Sequence, residues 1–188
     1  IYKLKHMPAD MILPPYIPIR REIESTGIGI TVHEETLKTA RDNPIVSHKY
    51  EDILKTDEDL EKIRIPRISY NQEKTLERFN RVSEITGDIM PVKLTGIGYL
   101  HSTTWDMISN FRGVSSLLID LADRPEFTHR MVRKLTDCKL AEIKQYEELG
   151  LLDRKTYDLH CTPALSSDLP GTNVEEGKVK AGNVWGRG

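Results

Sequence analysis

Residues 96–152 read GIGYLHSTTWDMISNFRGVSSLLIDLADRPEFTHRMVRKLTDCKLAEIKQYEELGLL, and this order of signals restricts the fold more than any other part of the chain. An apolar strand is followed by a helix, an Arg112-Gly113 break, a short apolar helix, an Asp123-Arg124-Pro125 turn and a long helix that Gly150 closes. Pro125 suits the first helical turn, where a backbone N–H would have no partner to lose. From there Phe127, Met131, Leu135 and Cys138 recur at spacings of four, four and three, a single apolar stripe for the core. Just upstream, residues 89–94 (IMPVKL) are short, apolar and bounded by Gly87 and Gly96, the pattern of a buried strand in a parallel sheet. Long helices alternating with short apolar strands imply right-handed βαβ units, hence an α/β fold.

The flanks carry weaker signals. Pro8, Pro14, Pro15 and Pro18 favour extended or turning chain over helix in residues 1–19. Residues 27–32 (GIGITV) alternate small and β-branched side chains and suit a short strand. Together with the polar stretch after them they form an N-terminal arm and strand/loop segment, residues 1–48, ahead of a main domain at 49–188. In that domain Thr56 and Asp57 can cap a helix starting at Glu58, with Ile53, Leu54, Leu60 and Ile63 set among charges, the face of a solvated helix that Pro66 ends. Asn71 can cap the next helix, whose stripe is Leu76, Phe79, Val82, Ser83 and Ile85 and whose stop is Gly87. Residues 156–161 are the next strand, followed by the Pro- and Ser-rich loop TPALSSDLPGT.

Composition removes several classes of function. A formal net charge of −2, with Lys and Arg interspersed among Asp and Glu, lacks the basic field on which nucleic-acid binding depends. No apolar run approaches the roughly 20 residues of a membrane span, and Lys3, Lys5, Met7 and Pro8 interrupt any signal-peptide core, so a cytoplasmic location is expected. Cys138 and Cys161, the only cysteines, do not make a secreted disulfide framework and read as reduced thiols.

The order and spacing of these elements resemble the uroporphyrinogen decarboxylase superfamily, most specifically in FRGVSSLLIDLADRPEFTHRMVRKLT. That resemblance implies a (β/α)8 TIM barrel. Such barrels take about 250 residues, so 188 would hold a partial barrel truncated at its C-terminal side. An incomplete barrel exposes strand edges, so the chain is expected either to associate with itself as a homo-oligomer or to be the ordered part of a longer chain. True decarboxylases of the superfamily carry an Arg-Gln-Ala-Gly-Arg motif that grips substrate carboxylates, which residues 1–30 do not reproduce, and Thr104 falls where they place a substrate-contacting tyrosine. The nearer likeness is to the decarboxylase-like, corrinoid methyltransferase-like branch. It implies an enzyme acting on a small methylated compound or a corrinoid or thiol carrier, with a corrinoid protein as a partner. The alternatives are cofactor-independent decarboxylation of a tetrapyrrole and a non-catalytic ligand-binding barrel.

Reactive groups of such barrels occupy the loops after the strands. Asp158 and His160 would share a strand face, the carboxylate orienting the imidazole as acid, base or metal ligand. His160 and Cys161 are the candidate zinc ligands, two where a catalytic zinc commonly takes three protein groups; a true decarboxylase would need no cofactor. Arg20, Arg21 and Arg112 offer planar guanidinium forks for substrate carboxylates. His101 and Trp105, four residues apart, would share a helical face able to contact a flat ligand, with Tyr99 nearby. Asp168, Trp185 and Arg187 belong to segments that look like barrel-mouth loops and complete the substrate-binding set.

Overall fold

A computed structural model describes residues 2–6, 14–38, 46–154, 157–159, 162–165 and 178–187. In chain order the elements are α1 (Tyr2–His6), β1 (Ile17–Arg20), β2 (Glu22–Ser25), β3 (Glu34–Lys38), β4 (Val46–Tyr50), α2 (Asp57–Leu60), β5 (Ile68–Asn71), α3 (Gln72–Thr86), β6 (Val92–Thr95), β7 (Tyr99–His101), α4 (Thr104–Arg112), α5 (Val114–Asp123), α6 (Pro125–Glu148), β8 (Tyr157–Leu159), β9 (Thr162–Leu165), a 3-10 turn (Ala181–Asn183) and β10 (Trp185–Arg187). They fall into two compact units, one built from residues 1–24, 69–101 and 145–187, the other from residues 25–68 and 102–144. The architecture is mixed α/β, with strands paired in twos and no closed barrel among the described residues. No helix among them is long and apolar enough to cross a membrane.

In the first unit β1 runs parallel to β6, with Ile17 opposite Val92 and Arg20 opposite Thr95, and α3 packs against both strands. The prolines predict an arm here; Pro18 nevertheless sits inside β1. Its missing donor costs no bond to β6, because the N–H groups of Ile17 and Arg21 are the ones that reach Pro91 and Thr95, and Pro18 is out of phase with them. Strand β6 starts later than the sequence predicts, since the N–H groups of Ile89 and Met90 close the end of α3 on the Thr86 carbonyl. Gly87 keeps a helical φ of −65°, so this turn, and no left-handed cap, ends α3. Asn71 caps α3 as predicted, accepting the Lys74 N–H at 3.0 Å.

The inward face of α3 is centred on Thr75 instead of the predicted Leu76 and Ile85, both of which are exposed. A polar tether decides that rotation. The Thr75 hydroxyl donates to the Asn71 carbonyl at 2.7 Å and accepts the Glu22 N–H at 3.0 Å, joining α3 to β2, which pairs with β5. Farther on, β7 runs parallel to β10, and a parallel bridge links Ile97 to Leu152. The predicted strand at 156–161 is the shorter β8, and it pairs antiparallel with β9, which lies where a loop was expected.

The second unit is built on the predicted stripe: Phe127, Met131 and Leu135 are buried with Leu54, Leu60, Ile108, Phe111 and Leu117. Residues 27–32 form no strand, because Gly27 and Gly29 hold φ of 69° and 85°, outside the range of extended chain. A side chain at Gly29 would also meet the Lys62 carbonyl at 2.8 Å. The expected helix near Glu58 is a single turn, α2, and its charges are paired with α6: Asp57 with Arg130 at 2.8 Å and Glu61 with Lys134 at 2.6 Å. At the far end of α6 Gly150 takes φ 61°, and the Gly150 and Leu151 N–H groups return to the Glu147 and Tyr146 carbonyls, a glycine stop of the Schellman kind.

Helix α2 exists because of its cap. Thr56 accepts the Asp59 N–H, while the Asp59 carboxylate accepts the Lys55 and Thr56 N–H groups at 2.9 and 3.0 Å and the Lys62 ammonium at 2.7 Å. The Lys62 hydrogen bond, then the backbone donors, lower the Asp59 pKa to about 2. A carboxylate depressed in the folded state stabilises the fold above its unfolded pKa of roughly 3.9 and ceases to do so on acidification. Asp59→Ala should therefore cost about 1 kcal/mol in urea denaturation at neutral pH. The difference from wild type should shrink as the pH is taken from about 4 down through the folded value of about 2.

Candidate functional site

Strand alternation puts Tyr16, Pro18 and Arg20 on one side of β1 and sends Ile19 to the core. Because β1 and β6 are parallel, their C-terminal ends coincide, with Arg20 opposite Thr95. The chain then passes through Gly96, Ile97 and Gly98 into β7. This passage is held by residues that follow α6: the Ile97 N–H reaches the Leu151 carbonyl at 2.8 Å, the Asp153 N–H reaches the Ile97 carbonyl at 2.9 Å, and the Gly96 N–H reaches the Asp153 carboxylate at 3.2 Å. Gly96 is required there, since a Cβ would stand 2.3 Å from the Leu151 carbonyl oxygen. The glycine admits the neighbouring backbone of the chain that leaves α6.

Around this clamp lies a cavity of about 450 Å³, lined by Tyr16, Arg20, Thr95, Tyr99, Asp153 and Arg154 among others. Such a volume is within the range of small-molecule sites, and the ends of parallel strands are where α/β folds place them. Two guanidinium groups and one carboxylate line it. The Lys93 ammonium stands 5.4 Å from the centre of the Tyr16 ring, adding a cation beside the aromatic wall. The Tyr99 hydroxyl is buried, and the Tyr99 ring stacks with that of His101 at 6.4 Å.

Of the predicted substrate-binding residues, Arg20 and Tyr99 meet in this cavity. The register of β7 and β10 places Trp185 opposite Tyr99 and Arg187 opposite His101, so four of the predicted residues occupy two neighbouring strands. Trp105 does not share a helical face with His101: His101 ends β7, while Trp105 stands in the first turn of α4 and is 52% exposed. Arg21 points to the other side of β1, with Nη1 beside Gly96. Asp158 lies in β8, its side chain outside the described residues; His160, Cys161 and Asp168 also lie outside them. Among the described residues no three His, Cys, Asp or Glu side chains are grouped as a metal ion needs, so they do not supply a zinc site. Tyr16, Asp153 and Arg154 were not anticipated. The alternation of Tyr16, Pro18 and Arg20 was a usable signal, obscured by the prolines; Asp153 and Arg154 carried none beyond following the Gly150 stop. No protein-family model matches the sequence, and no curated protein or solved structure matches it.

Arg112, the third predicted carboxylate grip, is engaged elsewhere. It donates to Asp120 at 2.7 Å and to Asp52 at 3.2 Å, and Arg124 donates to the same Asp120 at 2.7 Å. Burial pushes the Asp120 carboxyl up, but the hydrogen bonds from Arg112 and Arg124 outweigh it and hold the pKa below the usual value. With a side chain only 3% exposed, Asp120 sits between two cations that need it. Asp120→Ala should destabilise the protein by about 3–5 kcal/mol in urea denaturation. A well-packed apolar replacement of Asp120, Arg112 and Arg124 together should recover much of that loss.

Proposed function

We propose that this chain carries the ligand-gripping part of a uroporphyrinogen decarboxylase-like enzyme of the methyl-transfer type, acting on a small methylated compound or on a corrinoid or thiol carrier. The observation that carries the reading is the cavity at the C-terminal ends of β1 and β6, with Arg20 and Tyr99 in its lining. Parallel strands joined through helices are the units from which the resembled barrel is made, and that barrel binds its substrates at this end of the strands. Arg20 supplies a forked donor for an anionic substrate group, and Tyr16 and Tyr99 supply aromatic surface for its body. Asp158 and His160 are assigned the acid-base role on the strand pattern alone, and zinc, if the intact protein uses it, is assigned to His160 and Cys161.

Two measurements on the intact protein test the reading. Demethylation of methylcobalamin by dithiothreitol should be accelerated by the wild type and lost in His160→Ala, and zinc content should fall in the same variant. Full turnover by His160→Ala removes that residue from the site. Conversion of uroporphyrinogen, with methylcobalamin untouched, moves the protein to the decarboxylase branch, and binding of either tetrapyrrole without turnover moves it to the ligand-binding one.

A further inference from the structure

We infer that the cavity beside β1 and β6 selects a small monocarboxylate with a compact uncharged body and discriminates against polycarboxylate macrocycles. This rests on the cavity being the ligand site proposed above, and it narrows that site to one class of ligand. Three observations lead there. Arg20 is exposed in the lining and makes no hydrogen bond or ion pair with another described side chain, so its fork remains available for a carboxylate. Asp153 brings a fixed negative charge to the same cavity, pinned by the Gly96 N–H at 3.2 Å. Arg154, the other guanidinium in the lining, already has an interaction of its own, so a second carboxylate on the ligand finds no open fork there and is driven against the Asp153 charge as both lose water. The volume, about 450 Å³, is toward the small end of the roughly 300–1,000 Å³ over which small-molecule sites range.

The walls agree with that class. Pro14, Pro18, Tyr16 and Tyr99 present rings to the cavity, a lining suited to a flat or compact apolar body with one charged end. Asp153 also performs a structural task, because its carboxylate holds the Gly96 N–H. An asparagine would keep that acceptor and remove the charge, which separates the two roles.

Benzoate, benzamide and isophthalate are the probes, with binding to the full chain measured by titration calorimetry. Benzoate should bind, benzamide should bind about tenfold more weakly, and Arg20→Ala should weaken benzoate by about the same factor, the size of one charged hydrogen-bonded contact. Isophthalate should bind more weakly than benzoate to wild type and recover in Asp153→Asn, with circular dichroism confirming that both variants are folded. Equal affinities for benzoate and benzamide, an unchanged benzoate affinity in Arg20→Ala, or no benzoate binding at millimolar concentration overturns the inference. Preference for isophthalate in the wild type overturns it as well. Arg20-dependent benzoate binding in a protein inert toward methylcobalamin would leave the ligand class standing and sink the methyl-transfer reading. Methyl transfer to or from neutral compounds alone would do the reverse.

Discussion

The hydrogen bonds that join Gly96 and Ile97 to Leu151 and Asp153 determine where the candidate site stands. They fasten the passage between β6 and β7 to the chain that leaves α6. What aims that chain is the glycine stop at Gly150, whose left-handed φ sends Leu151 back across the helix end. An α-helix turns about 100° per residue, so the residue at which α6 stops sets the direction in which Leu151 and the residues after it leave. The position of two lining residues is thus set by the length of a helix that contributes none of its own side chains to the lining.

Polar contacts, more than apolar ones, decide local geometry throughout. Thr75 fixes the rotation of α3 through its hydroxyl, where the apolar residues on either side would have allowed another face. Asp120 gathers Arg112 and Arg124 at the junction of α4, α5 and α6, beside a core of Leu, Ile, Phe and Met that could pack in several ways. Hydrophobic burial supplies the larger part of the stabilisation, but it is non-directional, and the hydrogen-bonded groups select one arrangement from those it permits.

Elements marked by local chemistry were legible in the sequence. Thr56 and Asn71 cap their helices, Gly113 breaks α4 from α5, Pro125 opens α6 and Gly150 closes it, each through an interaction within a few residues. Misreadings arose where distant partners decide. The strand expected at residues 27–32 yields to two glycines whose positive φ serves a loop packed on residues 62–64, and Arg112 is claimed by Asp120 and Asp52. The candidate site was half legible: Arg20 and Tyr99 stood out by residue type, whereas Tyr16, Asp153 and Arg154 join them only through strand phase and the end of α6. The two compact units are each assembled from separated stretches of chain, a partition that reading residues in linear order does not reveal.

Pro18 has a bearing on assembly. On the side of β1 away from β6, the backbone donor due at that position is absent, and an added strand would find one rung of its ladder missing. Proline thereby acts as a guard against indiscriminate edge-to-edge zippering while leaving the pairing with β6 whole. A neighbour that settles along that flank has one backbone bond fewer to hold it and relies more on its side chains.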